Sequence, residues 1–350
     1  EYQNVLYYEA SRIMKLKGND TVLHVHVSYL PTPAHVGEPK TKPTQLSVKQ
    51  LNAMSIQPDF LVARTEADLD ERRRDRLALF CNMHAEDVIV NRDLPSIYQV
   101  PLNFHEQGFD SKILAKLGLP DRDSDITPWA KFVELAIAKK TKSLTIAIVG
   151  KYFKTGDYNL KDSYHALFEA LDHASISTGI ELNIKSINSE IIEKEGTKQL
   201  EGVDAIIVPI GWGARGTEGK IQAIKYAREN KIPYLGLCYG LQLAAIEYAR
   251  NVVGLEGASS TEIDPDSKYP IVHDIPFDPK YQRIKGNGVS MRLGGYDCHL
   301  KEGSLAHQIY GTTIISERHR HRYEVNNDYR KQLEDAGLMI SGTSPDDFFV

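Results

Sequence analysis

The sequence predicts an α/β protein of two domains, the second of which is a doubly wound parallel sheet. The first observation is length, because 350 residues exceed one typical domain. The second is composition, since 41% hydrophobic and 25% charged residues are typical of a globular protein. The third is the regular alternation of short apolar runs with helical segments beyond residue 142. We place the domain boundary near residue 141.

The first domain is predicted from three short strands, one helix and a proline-rich segment. Pro39 and Pro43 argue against a helix in residues 37–45, which are therefore predicted to be extended. Residues 121–125 are predicted to form a charged linker. Thr127-Pro128 is predicted to begin a helix, because the first N–H groups of a helix have no intrahelical acceptor and a proline there loses no hydrogen bond. The strands are predicted at residues 21–30, 60–63 and 88–90, with a helix at 68–79.

The second domain is predicted from strands that alternate with helices. A strand after each helix at this spacing favours a parallel sheet with helices on both faces. The strands are predicted at residues 144–149, 181–186, 205–209 and 233–236, and the helices at 158–173, 189–200, 217–230 and 240–252. The domain limits are then 1–120, 121–141 for the linker and its helix, and 142–350.

Charge and hydropathy narrow the range of partners. The formal charge of −5 and the pI near 6.2 give no global electrostatic reason to expect nucleic acid or an anionic membrane as a partner. No apolar stretch approaches the roughly 20 residues of a membrane helix, and the N-terminus lacks the pattern of a signal peptide. We therefore expect a cytoplasmic protein that binds neither nucleic acid nor membrane.

Cys238 is the strongest candidate for a catalytic residue. It lies between Gly236 and Gly240, directly after a short apolar strand and directly before an apolar helix, which is the context of a nucleophile turn. The tight turn leaves no room for a Cβ at the two glycines, and the helix N-terminus is expected to lower the pKa of the thiol. The alternative is a buried structural cysteine. Cys81 and Cys298 lie in no comparable motif, and the spacing of the three favours free thiols.

The glycine-rich loop at residues 208–216 precedes the cysteine turn by one helix. Adjacent parallel strands end at the same edge of a sheet, so this loop can bring backbone N–H groups to an oxyanion beside Cys238. Residues 211–216 also read as GxGxxG, a dinucleotide fingerprint. That motif requires an acidic residue near the end of the next strand, where the cysteine turn stands instead, so the dinucleotide interpretation is disfavoured.

Both motifs, together with residues 40–45, 258–262 and 317–327, resemble CTP synthases along nearly the whole chain. The resemblance implies the C-terminal part of a P-loop-type amidoligase domain followed by a class I glutamine amidotransferase domain. It implies an enzyme that phosphorylates UTP with ATP and Mg²⁺, and aminates it to CTP with ammonia from glutamine. It also implies GTP as activator, CTP as inhibitor and a homotetramer.

The resemblance also assigns site residues. Cys238 matches the nucleophile, and Gly211 matches the residue whose backbone binds the oxyanion. An arginine and a glutamate suit the α-carboxylate and α-amino groups of glutamine. The positions implied for glutamine binding are Tyr239, Gly240, Leu241, Gln242, Glu262 and Arg322; those for UTP or CTP are Lys40, Lys42, Gln45 and Arg76; those for ATP are Arg92, Asp93 and Leu94. In an extended segment, residues 40 and 42 would face one triphosphate together.

The sequence departs from the family in several places. No phosphate-binding loop of the GxxxxGK[ST] type occurs, and the family's metal-binding glutamate aligns with Gln3, whose neutral amide is a poorer Mg²⁺ ligand. The family's His-x-Glu base motif falls beyond Val350, and no histidine here is expected to replace it. Ile210 and Trp212 replace a glycine and a phenylalanine of the family's loop. We therefore expect a fragment that lacks the P-loop and the base.

Two other functions stay open. A glutaminase domain could serve another acceptor, although it would not explain the lysines near residue 40. A regulatory or filament-forming relative could keep the fold without catalysis, as the substitutions at Gln3 and Ile210 suggest. The Arg/His run at residues 318–322 could also be a solvated loop or a nucleic-acid patch, but flanking glutamates dilute its charge and no aromatic platform accompanies it.

Overall fold

The computed structural model describes residues 4–18, 22–35, 37–66, 68–122, 124–155, 158–159, 162–276 and 290–350. These residues divide into two compact units, one ending at Lys139 and the other running from Lys140 to Val350. In this part of the chain no helix has both the length and the apolar character needed to cross a membrane.

The first unit is built on a three-stranded parallel sheet in the order β1-β2-β3, whose central strand is buried. Leu61 pairs with His26 on one side and with Val88 on the other. The elements in chain order are α1 (Asn4–Lys17), β1 (Val25–Leu30), α2 (Lys42–Ala53), β2 (Phe60–Thr65), α3 (Glu71–Cys81), β3 (Val88–Arg92), α4 (Val100–Glu106), α5 (Phe109–Lys116) and α6 (Thr127–Ile137).

The expectation that residues 37–45 are extended is wrong from Thr41 onward. Thr41 has helical backbone angles and α2 begins at Lys42, with Pro43 in its first turn. A proline is tolerated there because the first N–H groups of a helix have no intrahelical acceptor. Lys40 and Lys42 therefore do not alternate along one strand. The backbone N–H of Lys40 instead donates to Pro31 O at 2.9 Å, just beyond β1.

In its described residues the second unit contains a four-stranded parallel sheet, two three-stranded sheets and a two-stranded sheet. The elements in chain order are β4 (Lys142–Gly150), β5 (Lys154–Thr155), β6 (Tyr158–Asn159), α7 (His165–Thr178), β7 (Ile180–Asn188), α8 (Ser189–Glu195), β8 (Ala205–Val208), α9 (Thr217–Glu229), β9 (Tyr234–Gly236), α10 (Tyr239–Tyr248), β10 (Ser259–Ser260), β11 (Pro270–Asp274), β12 (Arg292–Leu300), α11 (Leu305–Tyr310), β13 (Ile314–His321), β14 (Tyr323–Val325), α12 (Asn327–Asp335) and β15 (Gly342–Thr343).

The parallel sheet has the strand order β7-β4-β8-β9, which confirms the predicted doubly wound arrangement. Its core combines strand residues such as Val149 and Ile206 with Leu243 and Ile246 of α10. Two predicted helix limits are wrong. The helix predicted at 158–173 begins only at His165, after the paired strands β5 and β6, and α8 ends at Glu195 because the backbone of Gly196 has φ +79°.

The Arg/His run at residues 318–321 is a strand and not a loop. It belongs to β13 and pairs antiparallel with β12, so that Arg318 lies opposite Gly295 and His321 lies opposite Arg292. The strand could not be predicted from the sequence, because consecutive charged and imidazole side chains lack the alternation of apolar and polar residues that indicates a strand. Arg322 follows β13 in the bend before β14.

Candidate active site

Cys238 occupies a strained turn between β9 and α10. Its backbone angles are φ +53° and ψ −100°, and it is the N-cap residue of α10. A non-glycine residue at positive φ is strained and is held in place by its surroundings. Here Leu237 N donates to Val208 O at 3.0 Å, which joins the turn to β8. This is the geometry of a strand-to-helix nucleophile turn.

The two glycines beside Cys238 are required by close backbone contacts. A Cβ on Gly240 would lie 2.0 Å from Val208 O, and a Cβ on Gly236 would lie 2.6 Å from the carbonyl carbon of Gly240. Neither contact could be relieved by a side-chain rotation, because the opposing atoms belong to the backbone. The prediction that both positions need glycine is confirmed.

The environment of the Cys238 thiol keeps it protonated. Burial raises the thiol pKa and is the dominant cause, the N–H of Tyr239 lowers it, the charge of Glu262 raises it, and the ammonium of Lys220 lowers it. The expected lowering of the pKa is therefore wrong, because burial outweighs the stabilising contacts. The thiol donates to Arg320 O at 3.7 Å. A base must remove this proton before the sulfur can attack, since the thiolate is the nucleophile.

His319 and His321 bond to each other and to the backbone. His319 Nδ1 lies 3.1 Å from His321 Nε2, and His321 Nδ1 lies 2.9 Å from Tyr323 O, where it acts as donor because a carbonyl only accepts. Burial is the first cause that lowers the pKa of each histidine to about 4, so both rings are neutral at pH 7. Three of the four ring nitrogens are engaged in this chain of bonds. The expectation that neither ring replaces the base stays a prediction.

The loop at residues 209–216 lies beside the cysteine turn. Gly211 is buried, and a Cβ on it would lie 3.0 Å from Lys220 Nζ and 3.3 Å from Tyr239 Cδ1. Ile210 and Trp212, the two departures from the family's loop, are 40% and 48% exposed, so neither fills the space beneath Gly211. The loop is thus packed against Tyr239, the residue that follows Cys238.

Most candidate glutamine-binding residues meet at this loop and turn. Glu262 Oε1 accepts from Gly213 N at 3.1 Å, and Tyr239 OH donates to Gly213 O at 3.0 Å. Gln242 Nε2 donates at 2.8 Å to Tyr323 O, next to Arg322. The buried side chains of Tyr239 and Gln242 are therefore engaged within the scaffold, whereas Glu262 is half-buried. The remaining three are Gly240, which is buried, and Leu241 and Arg322, which are exposed.

Sequence reasoning missed Lys220, which is fully buried beneath the loop. Its Nζ donates to Pro209 O at 3.0 Å, and burial is the first cause that lowers its pKa to about 7. Its position could have revealed it, because Lys220 shares the apolar face of α9 with Ile221, Ile224 and Ala227 at helical spacing. A lysine on the buried face of a helix is unusual, because lysine is rarely buried without a hydrogen-bonding or charged partner.

Lys220→Met is expected to flatten the pH dependence of the second unit's stability. In the window from pH 7 to 10.5, unfolded Lys220 holds a proton that the folded form has released, so the stability of the unsubstituted chain rises with pH. The variant should lose this slope, on the order of 1 kcal/mol per pH unit. Urea unfolding at pH 7.5 and 9.5, followed by Trp212 fluorescence in a Trp129→Phe background, measures it. Exposed Lys225→Met is the control, and equal slopes in all chains would contradict the prediction.

The candidate nucleotide residues of the first unit are only partly free. Lys40 Nζ lies 2.5 Å from Glu38 Oε1, and Glu38 Oε2 accepts from Arg73 at 2.7 Å, so a carboxylate joins Lys40 to α3. Gln45 is buried and donates to Thr41 Oγ1. Lys42 and Arg76 are exposed, the latter one turn beyond Arg73 on α3.

The candidate ATP residues lie at the carboxyl end of the first sheet. Arg92 ends β3 and pairs with Asp68 at 2.9 Å, Asp93 lies 3.9 Å from Arg64, and Leu94 follows half-buried. In open parallel sheets, ligands bind beyond this edge.

The candidate magnesium ligand Gln3 lies outside the described residues. Within the described ranges, no group of three or more His, Cys, Asp or Glu side chains is placed to hold a metal ion. The residues that the structure describes therefore give no fit to a magnesium site.

Comparison with known proteins gives matches over both units. Residues 1–119 match the CTP synthase N-terminus, and residues 159–349, more than half of the chain, match glutamine amidotransferase class-I. The CTP synthases of Thermococcus kodakarensis and Methanocaldococcus jannaschii are each 48% identical over 99% of this chain. That of Caldanaerobacter subterraneus is 46% identical over 100% of it. In each case the match spans 64% of the relative's length.

A solved structure supports the fold of the second unit. The glutaminase domain of Trypanosoma brucei CTPS with bound acivicin is 37% identical, with a TM-score of 0.51, over 57% of this chain and 75% of that domain. The resemblance to CTP synthases found in the sequence is confirmed by these matches. The chain belongs to the glutamine amidotransferase class-I family and carries a CTP synthase N-terminus ahead of that domain.

Proposed function

We propose that this chain is part of a CTP synthase, in which ammonia from glutamine aminates UTP at the expense of ATP. The observation that carries the proposal is the strained turn of Cys238, against which the glycine loop and Tyr239 are packed. The similarity to curated CTP synthases on both sides of residue 140 supports it. The use of ATP and Mg²⁺ is proposed on the family resemblance.

The glutaminase step follows from the geometry of the turn. After the thiol of Cys238 has lost its proton, the sulfur attacks the carboxamide carbon of glutamine, and the C=O electron pair moves to the oxygen. The N–H of Gly211 is proposed to stabilise this oxyanion. Collapse of the intermediate breaks the C–N bond, and the nitrogen takes up a proton and leaves as ammonia. Water then hydrolyses the thioester to release glutamate and restore the thiol.

Substrate recognition is proposed for the charged residues around the turn. Glu262 suits the α-amino group of glutamine and Arg322 suits its α-carboxylate. Because Glu262 Oε1 holds Gly213 N in this structure, glutamine binding would replace that bond with a bond to an ammonium group. UTP and CTP are proposed at Lys40, Lys42, Gln45 and Arg76, and ATP at Arg92, Asp93 and Leu94. GTP activation, CTP inhibition and the homotetramer are proposed on the family resemblance.

Acivicin, which is bound in the Trypanosoma brucei domain, tests the nucleophile directly. We expect one covalent adduct, located on Cys238 by peptide mass spectrometry, and at least a 100-fold loss of adduct in Cys238→Ala, since the sulfur is the only attacking atom. Cys81→Ala and Cys298→Ala are the controls and should label normally. An adduct that persisted in Cys238→Ala would refute the assignment.

A relative without glutaminase activity is the competing hypothesis, and the raised pKa of Cys238 favours it. Such a protein would bind nucleotide and leave acivicin unreacted, whereas the proposed enzyme reacts with it. The two hypotheses are therefore separated by the same labelling experiment.

UTP binding tests the first unit, and separates CTP synthase from a glutaminase that serves another acceptor. Lys40→Ala/Lys42→Ala is expected to weaken UTP binding roughly tenfold or more, because two ammonium groups are lost from the triphosphate. Isothermal titration calorimetry on the chain measures this. Lys49→Ala, an exposed lysine on the same helix, is the matched control. Unchanged affinity in the double variant would show that Lys40 and Lys42 do not bind UTP and are ordinary surface lysines.

A further inference from the structure

Lys151 is a buried lysine that the proposed reaction does not use. It follows β4 directly and is 2% exposed. Its ammonium donates to three backbone carbonyls of the glycine loop, those of Trp212, Gly213 at 2.9 Å and Arg215 at 3.1 Å. An ammonium has three hydrogens, so this loop satisfies all of them. Lys151 therefore fixes the direction in which successive loop carbonyls point.

The direction of a carbonyl determines the direction of the next N–H. A peptide unit is planar and trans, so the C=O of one residue and the N–H of the following residue point in opposite directions. The Trp212 carbonyl points to Lys151, and the N–H of Gly213 in the same peptide unit points to Glu262 Oε1 at 3.1 Å. Lys151 thus turns a loop N–H towards a residue of the proposed glutamine site.

Lys220 acts in the same way on the other side of Gly211. Its Nζ donates to Pro209 O at 3.0 Å, so the carbonyls at positions 209 and 212, on either side of Gly211, are each held by a buried lysine side chain. A Cβ on Gly211 would lie 3.0 Å from Lys220 Nζ and 3.2 Å from Lys151 Cε. The two side chains therefore form the floor directly beneath Gly211.

The two lysines are also linked to the nucleophile turn. Their ammonium groups lie 5.4 Å and 5.2 Å from the ring centroid of Tyr239, the residue after Cys238. Such cation–π contacts are stronger in a desolvated site than at a surface. The ring therefore packs against both ammonium groups and joins the loop to the turn.

We propose that Lys151 and Lys220 are positioning residues of the glutaminase site, which hold the peptide units on either side of Gly211 and so fix the loop segment that presents the Gly211 N–H to the oxyanion beside Cys238. This inference rests on the proposed function. The lysines touch the loop and not the substrate, so they act on the rate of the step that develops negative charge on oxygen.

Two electrophiles separate this role from a general structural one. A chloroketone analogue of glutamine, 2-amino-4-oxo-5-chloropentanoic acid, reacts through a tetrahedral adduct whose oxygen needs the loop N–H groups. The sulfur adds to the ketone carbon, and the C=O electron pair moves to the oxygen. The sulfur then displaces chloride from the neighbouring CH2 carbon, and the ketone re-forms as the first C–S bond breaks. Iodoacetamide alkylates the same sulfur by direct displacement of iodide and needs no oxyanion site. Both are measured on the whole chain, as kinact and Ki for the chloroketone and as a second-order rate for iodoacetamide.

We expect Lys151→Met to lower kinact for the chloroketone by roughly 10-fold to 100-fold, which is less than the loss of an oxyanion donor itself because the donor N–H remains, with Ki and the iodoacetamide rate changed less than about threefold. Lys220→Met, which removes one hydrogen bond and a buried charge, is expected to lower kinact by about threefold to tenfold. Exposed Lys225→Met, on the same helix as Lys220, should match the unsubstituted chain. Amide exchange in peptides covering residues 209–216 should rise in both loop variants.

Several outcomes would overturn the inference. One is an unchanged kinact in Lys151→Met, and another is an equal fall in the chloroketone and iodoacetamide rates, which indicates general damage to the turn. If Lys151→Met does not fold, Lys220→Met decides, and an unchanged kinact there refutes the inference. Failure of the unsubstituted chain to react with the chloroketone would instead refute the proposed function.

Discussion

Gly240→Ala is expected to destabilise the second unit by about 3 kcal/mol and to abolish labelling of Cys238. The added Cβ would lie 2.0 Å from Val208 O, which already accepts from Leu237 N. Because Val208 O is a backbone atom, the clash can be relieved only if β8 and the start of α10 move apart. That movement would break the bond that holds the strained backbone of Cys238.

The effect of Gly240→Ala is measured by urea unfolding and by acivicin labelling of the same samples. Gly295→Ala is the matched control, because a Cβ there would have its nearest neighbour, Ser316 Oγ, at an ordinary 3.6 Å. It should change stability by less than about 1 kcal/mol. If Gly240→Ala were as stable and as reactive as Gly295→Ala, the turn could not have the proposed geometry.

Arg228→Met is expected to destabilise the second unit by about 3–5 kcal/mol, because the buried carboxylate of Glu247 then lacks its arginine partner. Glu247 lies on α10 and its side chain is 1% exposed. Arg228, on α9, donates to it through Nη2 at 2.8 Å and Nε at 3.0 Å, and Asn251 Nδ2 adds a bond at 3.1 Å. The pair joins α9, which follows the glycine loop, to α10, which follows Cys238.

A double-mutant cycle distinguishes the ion pair from simple packing. Glu247→Gln/Arg228→Met should recover much of the stability lost in Arg228→Met, since the uncompensated charge is gone. Lys331→Met, which breaks an exposed pair with Asp335, is the control and should cost less than about 1 kcal/mol. Additive losses in the double variant would show that charge burial is not the cause. Urea unfolding followed by Trp212 fluorescence measures the unsubstituted chain, Arg228→Met, Glu247→Gln, the double variant and the control.

The sequence by itself predicted the parallel sheet and the nucleophile turn, because both depend on local chemistry. Alternating apolar strands and helices define a doubly wound sheet, and the glycines beside Cys238 reflect contacts within one turn and its neighbouring strand. Helix limits such as that of α2 were harder to predict. Pro43 is compatible with both an extended segment and the first turn of a helix, and the choice depends on what the segment packs against.

Only the tertiary structure decided the electrostatics of the site. The pKa of Cys238 rises because burial outweighs the contacts at the helix N-terminus, and burial depends on every segment that covers the sulfur. Likewise, Lys151 and Lys220 are separated by 69 positions in the sequence, and their shared floor beneath Gly211 exists only once β4 and α9 are packed. Local sequence determines turns and strands, whereas charge, desolvation and long-range hydrogen bonds are set by which distant residues come together.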